Sequence, residues 1–216
     1  MKKNFLFVAL MLLVSMCFTS CSKDDDDVIK DQTVYVGDSI KLEGKLISYS
    51  NFIAQINGKY IKATHVGNTN ISIDGKLIKF TAKGKYSTID DPYIVWGSSI
   101  EQVEAMQKKG TIKSTMIVSS KPYNYGVIYN NLNNPINLIG YFFNNGKLVY
   151  VTINMNIIYA ADFLKYLNER FIMGSSNGDA MGLDSYDIQS AKTCVRCYVS
   201  SSTDLVCDYF DADILK

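Results

Sequence analysis

Hydrophobic and polar positions change rhythm several times along this chain. Residues 5–18 are apolar except for Ser15. From residue 33 to residue 82 apolar and polar residues alternate, as they do in strands that bury one face. The alternation predicts strands over residues 33–36, 39–46, 52–56, 59–63, 69–73 and 77–82. Asn57-Gly58 and Asp74-Gly75 sit between pairs of these runs, and such dipeptides form tight hairpin turns because both residues tolerate positive φ. Five or six short strands with turns every few residues predict an antiparallel sandwich over residues 28–86.

A polar junction follows, Ser87-Thr88-Ile89-Asp90-Asp91-Pro92, and its closing proline makes it the best boundary in the chain. Ser98 and Glu101 then have the spacing of a capping box. Ile100, Val103 and Met106 recur at helical spacing, and the helix is expected to stop at Lys109-Gly110. Strands are predicted over residues 111–118 and 125–129. Residues 136–143 and 147–154, joined at Asn144-Asn145-Gly146, form the firmest hairpin in the sequence. Ala160, Phe163, Leu164, Leu167 and Phe171 line one face of a second helix over residues 157–171. The glycine-rich stretch 173–183 is expected to be a surface loop and residues 186–191 a short turn. A last hairpin pairs residues 193–199 with 205–210. Residues 87–216 therefore form an α+β domain, an antiparallel sheet with two helices.

The apolar run at the N-terminus has a different meaning. Lys2 and Lys3 precede it. At 14 residues it is short of the roughly 20 that span a bilayer as a helix. A charged start, a short apolar core and the small residues Thr19 and Ser20 make a secretory signal over residues 1–20. The cysteine at the cut, in Phe18-Thr19-Ser20-Cys21, resembles the lipobox of bacterial lipoproteins. That resemblance implies that Cys21 is acylated, becomes the first residue, and anchors the protein to a membrane. Asp24, Asp25, Asp26 and Asp27 repel one another and form a hydrated tether. The acidic run also resembles the export signal of Bacteroidetes surface lipoproteins, which implies an outer-membrane address facing outward. Calcium loops space their ligands and place a glycine at the bend, so this run is not read as a calcium site.

Within the first domain, Val36-Gly37-Asp38-Ser39-Ile40, Ile53-Ala54-Gln55-Ile56 and Ala63-Thr64-His65-Val66-Gly67-Asn68-Thr69-Asn70-Ile71 look like the bacterial immunoglobulin-like group 2 domain. The likeness covers about a quarter of the chain. It implies an Ig-like, all-β sandwich with a structural or adhesive role and no catalytic residues. The second half is similar to the corresponding part of small Bacteroidetes lipoproteins in Trp96-Gly97-Ser98-Ser99 with Val103, in Tyr141-Phe142-Phe143-Asn144-Asn145-Gly146-Lys147-Leu148, and in Phe163-Leu164 with Leu167.

Composition narrows the function. The chain has 216 residues, with 22 Lys+Arg against 21 Asp+Glu. Removal of Lys2 and Lys3 with the signal leaves 20 against 21 and a charge of −1, so no basic field is present to attract nucleic acid. Of five cysteines, Cys194, Cys197 and Cys207 remain in an oxidising compartment. Cys194-Val195-Arg196-Cys197 has redox spacing but falls in a strand pattern, away from the helix N-terminus that would lower a thiol pKa. A three-residue loop over 201–203 sets Cys197 across from Cys207. The expectation is a Cys197–Cys207 disulfide or three buried thiols.

His65 is the single histidine and is expected on a surface loop, neither ligand nor base. No metal or cofactor is expected. Asp162, Glu169, Asp179, Asp184 and Asp187 supply carboxylates without a hydrolase motif. Trp96 is expected in the core, and Tyr123, Tyr125 and Tyr129 are the one aromatic cluster to inspect for glycan stacking. The leading expectation is a non-enzymatic binding or accessory module for a glycan or protein ligand. A hydrolase acting on glycan or peptide and a structural subunit of an envelope assembly are the alternatives.

Overall fold

Gly44 breaks what the alternation suggests is one strand. It adopts φ +115°, and a side chain there would strike the Asp74 carboxylate. The predicted strand over residues 39–46 is therefore two strands in different sheets: β2 (Ser39–Lys41) and β3 (Leu46–Ser48). The computed structural model describes residues 30–86, 89–117, 123–130, 132–133 and 135–215. The signal, Cys21 and Asp24 to Asp27 lie outside the described residues.

The described chain is mostly β. A four-stranded sheet holds β1 (Gln32–Tyr35), β7 (Lys76–Lys83), β6 (Gly67–Ile73) and β3 in that order, with β1 parallel to β7. A three-stranded sheet holds β2, β5 (Tyr60–Ala63) and β4 (Ala54–Asn57). Val34, Ile71, Ile78 and Phe80 are buried in the first sheet, and Ala54, Ile61 and Ala63 in the second. Asp74 and Gly75 both have positive φ between the paired Ile73 and Lys76, as the sequence implies. The other turn is shifted by one residue. Asn57 pairs with Tyr60, so the central residues are Gly58 and Lys59, and only Gly58 has positive φ.

An eight-stranded sheet follows, ordered β12-β13-β14-β15-β11-β10-β9-β8 and antiparallel throughout. Its strands are β8 (Thr111–Ile117), β9 (Tyr125–Asn130), β10 (Ile136–Asn144), β11 (Lys147–Asn156), β12 (Ile172–Ser176), β13 (Asp179–Leu183), β14 (Thr193–Val199) and β15 (Asp204–Asp211). Strands β12 and β13 occupy the stretch expected to be a loop. Asn177 and Gly178 both take positive φ and close that hairpin.

Two helices cover one face of this sheet. Helix α1 is Ile100–Met106, and its capping box lies one residue later than expected. The Ser99 hydroxyl accepts the Gln102 amide at 3.3 Å, and Gln102 Oε1 accepts the Ser99 amide at 2.9 Å. Ser98 is buried instead, its hydroxyl 3.0 Å from that of Tyr93. Helix α2 is Ala160–Asn168, entered through a 3-10 turn at Ile157–Tyr159. It buries Phe163, Tyr166 and Leu167, while Leu164 is turned outward. These residues join Val103 and the inner row of the sheet (Tyr141, Val151, Ile153, Val195, Cys207) in one core. Trp96 packs against this core and donates its indole N–H to Thr193 Oγ1 at 3.2 Å. Asp31–Lys216 is one compact unit.

Candidate functional site

The side chains on the other face of the eight-stranded sheet fall in two cross-strand rows. Successive residues of a strand point to opposite faces, so paired residues on neighbouring strands share a face. Phe142 pairs with Tyr150, and Tyr150 with Phe210. Two residues along, Thr152 pairs with Asp208, and Asp208 with Arg196. An aromatic row thus lies beside a polar one. Neither α-helix packs on either row, and the Phe210 end of the aromatic row packs against Ala191, Cys194 and Ala212.

Phe142 is held low on the sheet by two glycines. A Cβ at Gly140 would stand 2.9 Å from its ring, and one at Gly126 would stand 3.0 Å from it. Glycine inside a strand marks such close approach. Tyr123 completes the aromatic group, with ring centroids 5.1 Å from Phe142 and 5.3 Å from Tyr150, the latter pair stacked. Phe142 and Tyr150 are 5.4 Å apart. Tyr125 and Tyr129, expected beside Tyr123, face elsewhere. Tyr125 packs against Phe143, and Tyr129 is buried edge-on to Tyr141.

The polar row is fixed by its own contacts. Asp208 is only 7% exposed and accepts the Thr152 hydroxyl at 2.8 Å. Arg196 holds Asp179 with Nε at 2.8 Å and Nη2 at 2.7 Å, a paired contact that orients the guanidinium. Asp179 raises the Arg196 pKa. Burial first and Asp208 second raise the pKa values of the Tyr150 and Tyr198 phenols, so both stay protonated at neutral pH. Tyr150, Asp208, Arg196 and Asp179 border an open cleft of about 530 Å³, which Phe210 and the Asn177 hairpin tip also line.

Two other concavities are bordered by groups with partners inside the protein. One of about 450 Å³ at Val66 and Lys83 includes Arg170, which bonds Asp91 at 2.8 Å and the Tyr166 carbonyl at 3.1 Å. One of about 200 Å³ reaches Gln107, which accepts the Tyr141 hydroxyl at 2.7 Å.

The candidate carboxylates are scattered. Asp162 pairs with Lys165 on α2, and Asp184 accepts the Lys192 and Thr193 amides at 2.8 and 3.1 Å. Asp187 accepts the Gln189 amide at 3.1 Å, and Glu169 accepts the Lys85 and Tyr86 amides. His65 is not a surface residue. It is 8% exposed, stacked on Phe52 at a centroid distance of 4.0 Å, with Nδ1 2.7 Å from the Phe52 carbonyl oxygen. No group of three or more metal-ligating side chains occurs among the described residues.

Cys197 does stand opposite Cys207, and both lie in the main core. Cys194 faces away, into a small cluster with Ala191 and Ala212. The three carry free thiols. No described helix is long and apolar enough to cross a membrane.

Phe142, Tyr150, Arg196 and Asp208 are absent from the site residues drawn from the sequence. Their signal is the i, i+2 alternation of Tyr150 with Thr152, Arg196 with Tyr198 and Asp208 with Phe210. No family model, curated protein or solved structure matches this chain.

Proposed function

We propose that the chain is an outer-membrane lipoprotein, tethered through acylated Cys21 and the Asp24 to Asp27 run and facing outward. It acts there as a non-enzymatic binding module, and its binding surface is the open face of the eight-stranded sheet. One observation carries the choice of surface: Tyr150 and Phe210 of the aromatic row and Asp208 and Arg196 of the polar row border the same cleft. Burying apolar rings beside fixed polar groups is how ligand sites combine affinity with orientation.

Residues 28–86 are read as an Ig-like domain similar to the bacterial immunoglobulin-like group 2, serving as a spacer. The division of β2 and β3 between two sheets supports this. Residues 87–216 are read as an α+β domain, supported by two helices on one face of an antiparallel sheet. A second reading, a subunit of an envelope assembly, is favoured by edge strand β8, where Ile112, Met116 and Ile117 are 45, 40 and 87% exposed. Such an edge can accept a partner strand.

Fractionation and surface labelling of cells test the tether. The wild type is expected in the outer membrane, open to external protease, and Cys21→Ser or globomycin treatment removes it from that fraction. Retention at the wild-type level would overturn the anchor. For the surface, the detergent-solubilised lipoprotein is incubated with immobilised envelope extract. Capture that Tyr150→Ala leaves intact would move the site elsewhere.

A further inference from the structure

We infer that the ligand of this face is an uncharged glycan, its pyranose rings lying on the Phe142–Tyr150–Tyr123 group and its vicinal hydroxyls held by Asp208 and Arg196. The inference rests on the binding-module reading above and names its ligand class.

Position in the sheet excludes one large class first. Strands β10, β11, β15 and β14 each have a neighbour on both sides. Their backbone N–H and C=O groups are used in the sheet, so a peptide cannot add itself here as a further strand. Recognition has to come from side chains alone. Charge excludes another class. Arg196 is the cation bordering the cleft, and Asp179 already occupies two of its N–H groups, while Asp208 adds a second negative charge beside it. A carboxylate, sulfate or phosphate would meet a net negative surface with no unpaired cation, and close like charges without a compensating partner are repulsive. Uronates, sulfated glycans and phosphorylated ligands are therefore disfavoured.

What remains suits a neutral sugar. The flat C–H face of a pyranose is apolar and its rim carries hydroxyls that donate and accept. Phe142 and Tyr150 are paired on adjacent strands, about 4.8 Å apart at the backbone, and with Tyr123 stacked on Tyr150 they offer a contoured apolar floor whose Phe142 and Tyr150 rings are tilted by 60°. Gly126 and Gly140 keep the Phe142 ring low, so that floor is not interrupted by side chains beneath it. Next to it, Asp208 is an acceptor oriented by Thr152 and by the Tyr150 and Tyr198 phenols, with about four lone-pair sites on its carboxylate to share, and Arg196 is a donor that Asp179 already orients. A preorganised acceptor and donor on neighbouring strands match two adjacent hydroxyls of one ring, and groups fixed in advance lose little freedom on binding. The phenol of Tyr150 stays protonated and is hydrogen-bonded to Asp208, which fixes that ring beside the polar row.

Affinity electrophoresis of the detergent-solubilised lipoprotein in gels containing mannan, pullulan, laminarin, xyloglucan or galactan tests this, with heparin and polygalacturonate as anionic probes. Retardation is expected in at least one neutral gel and in neither anionic gel. Asp208→Asn keeps the shape of the side chain and removes its charge, and it should weaken that binding at least tenfold. Tyr150→Ala should abolish it, and Tyr60→Ala, an exposed aromatic on β5, should leave it unchanged. A thermal melt of each variant separates loss of binding from loss of folding, and Tyr123→Ala at the margin of the face serves if Tyr150→Ala unfolds. Binding to an anionic gel alone would overturn the neutral assignment. Capture of an envelope protein, lost in Tyr150→Ala and without retardation in any neutral gel, would overturn the glycan assignment while keeping the module. Retardation unaffected by Asp208→Asn, Tyr150→Ala and Tyr123→Ala would overturn both.

Discussion

Glu169 accepts the backbone amide of Lys85 at 2.9 Å, and its second oxygen accepts the amide of Tyr86 at 3.1 Å. The Glu169 carbonyl also takes the Val66 amide at 2.7 Å. One residue at the end of α2 thus pins the segment leaving β7 and the loop before β6. Its carboxylate is 6% exposed, with Arg170 Nη1 at 3.7 Å as the nearby cation. Glu169→Gln puts a donor where an acceptor is needed and should cost about 1–3 kcal/mol. Glu169→Ala leaves both amides without a partner and should cost more. Urea denaturation checks this through a lower midpoint at unchanged slope.

His65 should make stability depend on pH. Burial lowers its pKa below the usual 6.5, outweighing the bond to the Phe52 carbonyl, which acts in the opposite direction. The groups around the imidazole are aromatic: Phe52 stacked on it and Tyr186 edge-on at 6.0 Å. With the folded pKa below the unfolded one, the unfolded chain takes up the proton first as pH falls. The stabilisation from neutral His65 is complete above about 6.5 and declines as pH drops from there through the folded value. His65→Gln removes the titration and keeps a donor for Phe52. The wild-type and variant stability curves should converge as the pH falls through that window. Curves that stay parallel would mean that His65 is solvated in the folded protein.

Two glycines in the same hairpin should respond in opposite ways to alanine. A Cβ at Gly182 would lie 2.8 Å from Val195 Cγ1 and 3.0 Å from Phe171 Cβ, and a Cβ at Gly174 would meet nothing within 4 Å. Neither has positive φ. Replacing glycine stiffens the unfolded chain, worth about 0.4–1 kcal/mol, whereas overpacking a core costs about 1–3 kcal/mol. Gly182→Ala should therefore lower the melting temperature and Gly174→Ala leave it equal or higher. The pair is measured by thermal unfolding monitored by circular dichroism.

These contacts separate what short-range pattern carries from what it does not. Asp74-Gly75 and Asn145-Gly146 close hairpins as their chemistry implies, because the positive φ they adopt is a local property. Asn177-Gly178 carries the same signal, but the glycines and serines around it read as a loop, and the flanking strands are held by pairing with β14. The split between β2 and β3 depends on Gly44 fitting against Asp74, whose Oδ1 takes the Lys45 amide at 2.8 Å. Burial of His65 depends on Phe52 and Tyr186, and Tyr186 is distant in sequence. The candidate site lies further still from local pattern. Tyr150, Phe210, Asp208 and Arg196 meet only when the registers of three strands are known. Cys197 and Cys207 were legible because one loop length sets their register.

That register leads to a prediction about the thiols. Cys207 is fully buried opposite Cys197, and burial first, then its neighbour, pushes its pKa well above the usual thiol range. Both side chains are buried out of reach of a reagent, so iodoacetamide should label neither Cys197 nor Cys207 in the native protein, and Cys194, Cys197 and Cys207 should all label in guanidinium. Free thiols in an apolar core behave as small hydrophobes. Cys207→Ala should therefore cost less than Cys207→Ser, whose hydroxyl is buried without an assured partner at about 1–3 kcal/mol. A cross-strand disulfide predicts otherwise. Alanine and serine would then cost alike, about 2–5 kcal/mol, and denatured wild-type protein would label at Cys194 alone until reduced. Peptide mapping of the denatured, unreduced chain, read with the two stabilities, decides between a packed thiol pair and a bridge.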